Sequence, residues 1–464
     1  MSRVLDQAPA GGAFAPSIDH AVRVPALQSL TGLRWIAAFV VFAYHIRNLN
    51  YFNGGGYTAM SYVFGGGYTG VSLFFLLSGF VLAWADRPGV SIAGFWKRRV
   101  ARIYPLHLVC LAVALALAAT ILPGIASPHP LAALANLTLT NVWSAEWYQA
   151  GNPVSWSLAV EAFFYLLFPF VIRYVRVLNN AGLWLLGAVA LGLVFALPTF
   201  WWQLPSLVAS SASPLARLPE FVLGVTLGAL MRRGAWRGPR LLPAAVIALA
   251  GYAYSQFYPM NPYGFAAITV VGYALLIAAL ARADLSGRFT VLSSRPLVRL
   301  GEISFAFYLI HLLVVGVIAS AWPGGAPQAP LLLGAALTLL AFTVALGLAW
   351  MLWKFVEIPG RNAVLGWGKK KRARSGARRA SGVPGGPAAV PGAPPSRRTG
   401  TGPSRRAAAV PQTRVGSITR RRKTRYRRNP ASTLGPAVGA AVAPSGASGA
   451  IPTAAPAPTD LVGS

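Results

Sequence analysis

Arg34 and His45 stand eleven residues apart in "LTGLRWIAAFVVFAYH", residues 30–45, a stretch otherwise apolar enough to lie in a membrane. Charged and titratable groups are expensive in hydrocarbon, so those found there face a protected interior. Eleven residues make almost a whole number of helical turns, which puts both side chains on one face, roughly 16 Å apart along the axis. The guanidinium is a permanent cation whose planar fork suits phosphate, and the imidazole is a base that titrates near neutral pH. One stripe of one helix thus carries a fixed cation and a titratable base.

The chain has only ten acidic residues, so each one inside an apolar run is informative. Glu161 lies in "WSLAVEAFFYLLFP" (156–169) and Glu220 in "RLPEFVLGVTLG" (217–228). Counting 1.5 Å per residue puts Glu161 and His45 each about 22 Å above the inner boundary, which predicts a shared cavity in the outer half of the bilayer. There a carboxylate would orient the imidazole and stabilise its protonated form, making His45 a better base. In "GEISFAFYLIH" (301–311), Ser304, Tyr308 and His311 recur at spacings of four and three and form another stripe. Arg99 and Arg102, in "WKRRVARIYP" (96–105), fall near the depth of Arg34 and are suited to gripping phosphate.

Each residue also has a plainer reading. An arginine near a span end snorkels to the headgroups, and a basic cluster at an inner end sets topology. A lone intramembrane histidine or protonated glutamate can be satisfied within the bundle, and hydroxyls serve as interhelical glue. Arg34, His45 and Glu161 at compatible depth and phase favour a functional polar cavity. These residues alone do not name its reaction.

The elements that must hold these groups are membrane helices. Of 464 residues, 55% are hydrophobic and 11% charged, against about 25% charged in a soluble domain. With a mean hydropathy of +0.55, the chain reads as an all-α polytopic membrane protein. About 20 apolar residues cross a bilayer. Ten spans are expected, at 30–49, 69–85, 103–122, 156–175, 181–199, 216–232, 241–256, 264–281, 300–321 and 331–353, the sixth and seventh being the least distinct. Segments 53–70 and 123–155 have the Gly, Pro and small polar content of irregular loops. With both termini cytoplasmic, 38 of the 41 Lys and Arg fall on the inner side; Arg47 and Arg217 sit at outer span ends and Arg34 within a span. The first 29 residues lack the pattern of a secretory signal. No internal repeat of the kind that builds paired-half transporters is visible.

The ordered set of motifs resembles acyltransferase family 3, integral-membrane enzymes that include O-antigen and other glycan acetylases. The resemblance runs from about 26 to 361. It is carried by "LTGLRWIAAFVVFAYH", "FFLLSGFVL" (74–82), "KRRVARIYPLHL" (97–108), "WSLAVEAFFYLLFP", "ISFAFYLIH" (303–311) and "VEIPGR" (356–361). The family's arginine-ten-residues-histidine motif falls on Arg34 and His45, and its span glutamate on Glu161. Thr31 replaces the acidic residue frequent before the glycine of the first motif. The resemblance implies transfer of an acyl group, acetyl being the first expectation, from cytoplasmic acyl-CoA to a hydroxyl of an exported or lipid-linked carbohydrate or a secreted metabolite. His45 would be base or acyl carrier. Glu161 would orient it or complete the polar cavity. Arg34, Arg99 and Arg102 would bind CoA phosphates. Glu220, Ser304, Tyr308 and His311 are further cavity candidates.

The implied site is the inner, or plasma, membrane. No permanently bound cofactor and no metal are expected, and the single cysteine, Cys110, excludes an internal disulfide and a cysteine zinc site. Three parts are expected: a cytoplasmic segment, 1–29; the membrane domain, 30–361; and a disordered basic tail, 362–464, in place of the extracytoplasmic hydrolase-like domain of the family's longer members. Residues 369–464 hold 19 Lys and Arg against Asp460. With Tyr426 as the one aromatic residue among the basic clusters, the tail suits anionic lipid headgroups better than a specific nucleic-acid site. A secondary transporter would use the same intramembrane arginine, histidine and glutamate, and a scaffold would tolerate loss of His45.

Overall fold

The computed structural model describes residues 25–366, apart from 128, 206–207 and 258–261. Residues 1–24 and 367–464, including the basic clusters of the tail, lie outside the described residues. Twelve α-helices follow in order among the described residues: α1 (Gln28–Asn48), α2 (Gly54–Phe64), α3 (Gly70–Trp84), α4 (Ile92–Thr120), α5 (Pro130–Leu137), α6 (Ser155–Val177), α7 (Asn180–Thr199), α8 (Pro214–Arg232), α9 (Leu241–Ser255), α10 (Ala267–Leu285), α11 (Arg295–Ala319) and α12 (Leu331–Leu352). Among the described residues there is no strand. A lone bridge between Phe52 and Ala329 ties the loop after α1 to the one before α12.

All ten expected spans are helical. Nine segments among the described residues are long and apolar enough to cross a membrane, α2 and α3 forming one of them together and α12 extending to Gly366. The tenth, α9, has fifteen residues, about 22 Å of helix against a hydrocarbon core of about 30 Å. It stops where Ser255 bonds back to the Tyr252 carbonyl and Gln256 meets the Gly66 N–H.

Three boundaries differ from expectation. Ser91 caps α4, its Oγ accepting from Gly94 N–H at 3.1 Å, so the helix begins at Ile92 and carries the basic cluster within it. The stretch 53–70 is not irregular throughout. It folds its "GGGYTAMSYVF" portion into α2, just as Pro130 and the His129 cap start α5 within 123–155. After α12, one π-helical turn, Trp353–Glu357, precedes further helix to residue 366, so residues 362–366 continue the membrane helix rather than the tail.

The bundle closes most tightly between α3 and α8, where Gly79, Gly224 and Gly228 let the backbones touch. A Cβ at Gly224 would collide with the Leu76 carbonyl oxygen. This is the small-residue approach by which membrane helices associate. α1 packs along α11, and α4, α6 and α3 surround the space between.

Candidate active site

Six of the singled-out residues meet at one cavity of about 250 Å³, lined among others by Arg34 of α1, Arg99 and Arg102 of α4, Glu161 of α6, and Ser304 and Tyr308 of α11. Spacings of three and four aim the paired residues of α4 and of α11 at the same space. Ser78, Ser157 and Tyr165 complete the polar lining. The Glu161 carboxylate accepts from Ser78 Oγ at 3.0 Å and from the Tyr165 hydroxyl. The Arg99 guanidinium lies 5.6 Å from the ring centres of both Phe95 and Tyr165, and its buried Nε has no hydrogen-bond partner among the described residues. The ring faces attract the cation, while the unmatched N–H is left to a ligand. Arg102 repels Arg34 and Arg99, and Glu161 attracts both. With three guanidiniums against one lining carboxylate, the cavity presents positive charge inside an apolar bundle. That suits an anion.

His45 is elsewhere than expected. It is half-buried beside His311, with ring centres 5.3 Å apart, and beside Tyr44 at 5.4 Å. Glu161 bonds to Ser78 and Tyr165 and does not orient His45. The depth count fails because Glu161 lines the cavity with Arg34, eleven residues from His45 along α1.

His311 is fully buried, and its Nδ1 lies 2.8 Å from the Tyr308 carbonyl and 3.2 Å from that of Phe307. Carbonyls only accept, so Nδ1 carries the proton, and in the neutral ring Nε2 keeps a lone pair. That Nε2 is buried with no hydrogen-bond partner among the described residues. Tyr308, one turn earlier, bonds to the Ser157 hydroxyl at 2.7 Å and has its ring centre 5.8 Å from that of His311. Ring contacts therefore run from the cavity at Tyr308 through His311 to His45.

Glu220 does not reach this cavity. It is fully buried in an ion pair with Arg217, Nη1 to Oε1 at 2.6 Å, with Ser72 bonded to both. Arg217 stands in the first turn of α8, at the span end as expected, yet is only 3% exposed. Pro214 at the start of the helix and the Ser213 cap bring it there.

The residue that sequence reasoning passes over is Glu357, in the "VEIPGR" motif. The π-helical turn carries it; it is 4% exposed, and its charge interacts with Arg102, Arg34 and Arg361. An acidic residue between apolar neighbours, just before a proline, is the available signal; the π turn that aims it leaves none. Among the described residues, no three His, Cys, Asp or Glu side chains gather as a metal site would require.

Residues 27–353 match the model of acyltransferase family 3, described as an acyltransferase domain. The chain belongs to this family. It is 41% identical over 312 residues to the acyltransferase MdmB of Streptomyces mycarofaciens, a match covering 63% of this chain and 80% of that one. It is 24% identical over 337 residues to the O-acetyltransferase OatA of Staphylococcus aureus, covering 64% of this chain and 52% of the relative. The peptidoglycan O-acetyltransferase OatA of Listeria monocytogenes is 27% identical over 190 residues, 37% of this chain and 28% of the relative. No solved structure matches. The family, the relatives and the apolar helices make this a multi-pass membrane O-acyltransferase.

Proposed function

We propose that this acyltransferase takes its acyl group, acetyl first of all, from cytoplasmic acyl-CoA and delivers it to a hydroxyl of an exported or lipid-linked carbohydrate or a related secreted metabolite. One observation carries the reading: three guanidiniums from α1 and α4 converge on a cavity within apolar helices whose lining, among the described residues, has a single carboxylate. Arg34, Arg99 and Arg102 grip the CoA phosphates. The donor's arm then runs up the face of α1 past Tyr308 toward His45, and the acceptor enters from the opposite side.

The acceptor oxygen attacks the thioester carbonyl carbon, a C–O bond forms and the C–S bond breaks. His45 takes the hydroxyl proton and returns it to the departing thiolate. An acyl-imidazole relay on His45 uses the same groups in two steps. His311 positions the His45 ring; Glu161 holds Tyr165 and offsets part of the arginine charge. Both termini are cytoplasmic in this reading and the membrane is the plasma, or inner, membrane. The placement of 38 of 41 basic residues supports this, with α9 counted as a short tenth crossing.

The test uses purified protein, labelled acetyl-CoA and fractionated envelope and secreted material as acceptor. Wild type should release free CoA thiol and leave the label as an alkali-labile ester. His45→Ala, inserted normally, should lose roughly 10²–10⁴-fold in rate. Full activity in that variant removes His45 from the chemistry. Failure of wild type to release thiol with any fraction removes acyl-CoA as donor.

A further inference from the structure

The helices that wall the arginine cavity carry a second cavity one step further along. α3 lends Leu82 to the first, and Asp86, just beyond its end, lines the second; α4 lends Arg99 and then Phe95; α6 lends Tyr165 and then Phe168. α4 runs opposite to the other two, so all three steps lead toward the same end of the bundle. The second cavity, of about 210 Å³, is therefore stacked on the first along the same walls. Arg99, 5.6 Å from the ring centre of Phe95 in the second cavity and of Tyr165 in the first, forms the joint between them.

The lining of this cavity is two-sided. The Phe95 and Phe168 rings stack at 5.1 Å with an interplanar angle of 25°, giving an aromatic wall. The rest of the lining includes Arg87, Arg173 and Arg176. Asp86 takes Arg176 in a two-point contact at 2.9 and 2.7 Å. Among the described residues, neither Arg87 nor Arg173 forms an ion pair. A ligand matching this surface has a flat ring at one side and a phosphate at the other. It also continues as a chain into the neighbouring arginine cavity.

We propose that this second cavity is the nucleotide subsite of the donor, holding adenine against the Phe95–Phe168 wall and the ribose phosphate at Arg87 and Arg173, with the diphosphate at Arg99 and Arg102. The proposal rests on acyl-CoA being the donor. Anionic lipid headgroups share the phosphate but lack the ring and the arm, and exposed arginines at an inner membrane boundary meet them routinely.

The experiment measures binding of CoA and of phosphopantetheine, which lacks the nucleotide, to the full-length protein in detergent. Wild type should bind CoA roughly tenfold or more tightly than phosphopantetheine, the yield expected of charged phosphate contacts. In Arg87→Ala/Arg173→Ala, CoA affinity should fall toward that of phosphopantetheine, whose own affinity stays unchanged. Unchanged CoA affinity, or equal losses for both ligands, overturns the subsite. So does a variant that loses only its binding to phosphatidylglycerol vesicles, which would make the cleft a lipid contact. Should the double variant fail to insert, adenosine 3′,5′-bisphosphate on the unmodified protein decides: it should displace labelled CoA, and failure to do so overturns the subsite. If wild type binds neither CoA nor phosphopantetheine, the donor reading itself has failed and the subsite falls with it.

Discussion

A guanidinium and an ammonium carry the same charge, and Arg34 is where the difference between them should be measurable. Its neighbours Arg99 and Arg102 leave the charge of the cavity in excess, so losing one fork changes geometry more than field. Arg34→Lys should keep the protein inserted and weaken CoA binding about tenfold, because Lys offers a point charge where Arg offers two parallel donors. Arg34→Ala should weaken it further. Unchanged CoA affinity in Arg34→Ala, read by equilibrium binding, would return this residue to headgroup snorkelling. The arginines are legible in the sequence because a permanent charge in an apolar run has few places to go. The partner of His45 is not. Helical phase tells which residues of one helix share a face, and nothing in it says that α11 rather than α6 lies opposite. Glu220 is the converse case. Its partner, Arg217, is three residues away and readable as an i,i+3 pair, yet charge placement alone puts that arginine at the aqueous boundary.

At the scale of elements, the apolar runs locate the helices because a chain in lipid must satisfy its backbone internally. Hydropathy is blind to the polar turn that stops α9 early and to the π turn after α12 that carries the buried Glu357. It also reads the "GVTLG" stretch, 224–228, as ordinary span. In the fold this stretch is the face of α8 that lies on α3, which in turn supplies Ser78 to the Glu161 carboxylate and Leu82 to the cavity. A side chain at Gly224 meets backbone atoms of Leu76 and Phe80, which cannot swing aside as a flexible side chain would. Gly224→Leu should therefore separate α3 from α8 at a cost of about 1–3 kcal/mol or more, the range for overpacking a tight core. The expected readout is a lowered unfolding midpoint in detergent with a loss of activity in parallel. A variant with wild-type thermal stability would show that the helices have more freedom than the close approach implies.

For the whole molecule, the question is whether chemistry and the basic tail are separable. The family match ends at 353 and the described helix at 366, while the clusters "KKKRARSGARR" (369–379) and "RRRKTRYRR" (420–428) lie outside the described residues. Among the described residues, every one that lines the two cavities stands at or before Tyr308 in the chain. Glu357, whose charge reaches Arg34 and Arg102, also precedes residue 368. Basic residues close to an anionic leaflet contribute about 1 kcal/mol each, falling off within a Debye length. A tail acting in that way changes how the protein sits at the surface, not how the thioester is cleaved. Truncation after residue 368 should accordingly leave acyl transfer within about twofold of wild type, since surface charges far from a site act through a screened field. The changes should be in expression or in retention on anionic vesicles, and high salt should mimic them in the full-length protein. A truncated protein that inserts normally yet transfers nothing would place the tail within the mechanism, and the division of the chain at the end of the last helix would have to be abandoned.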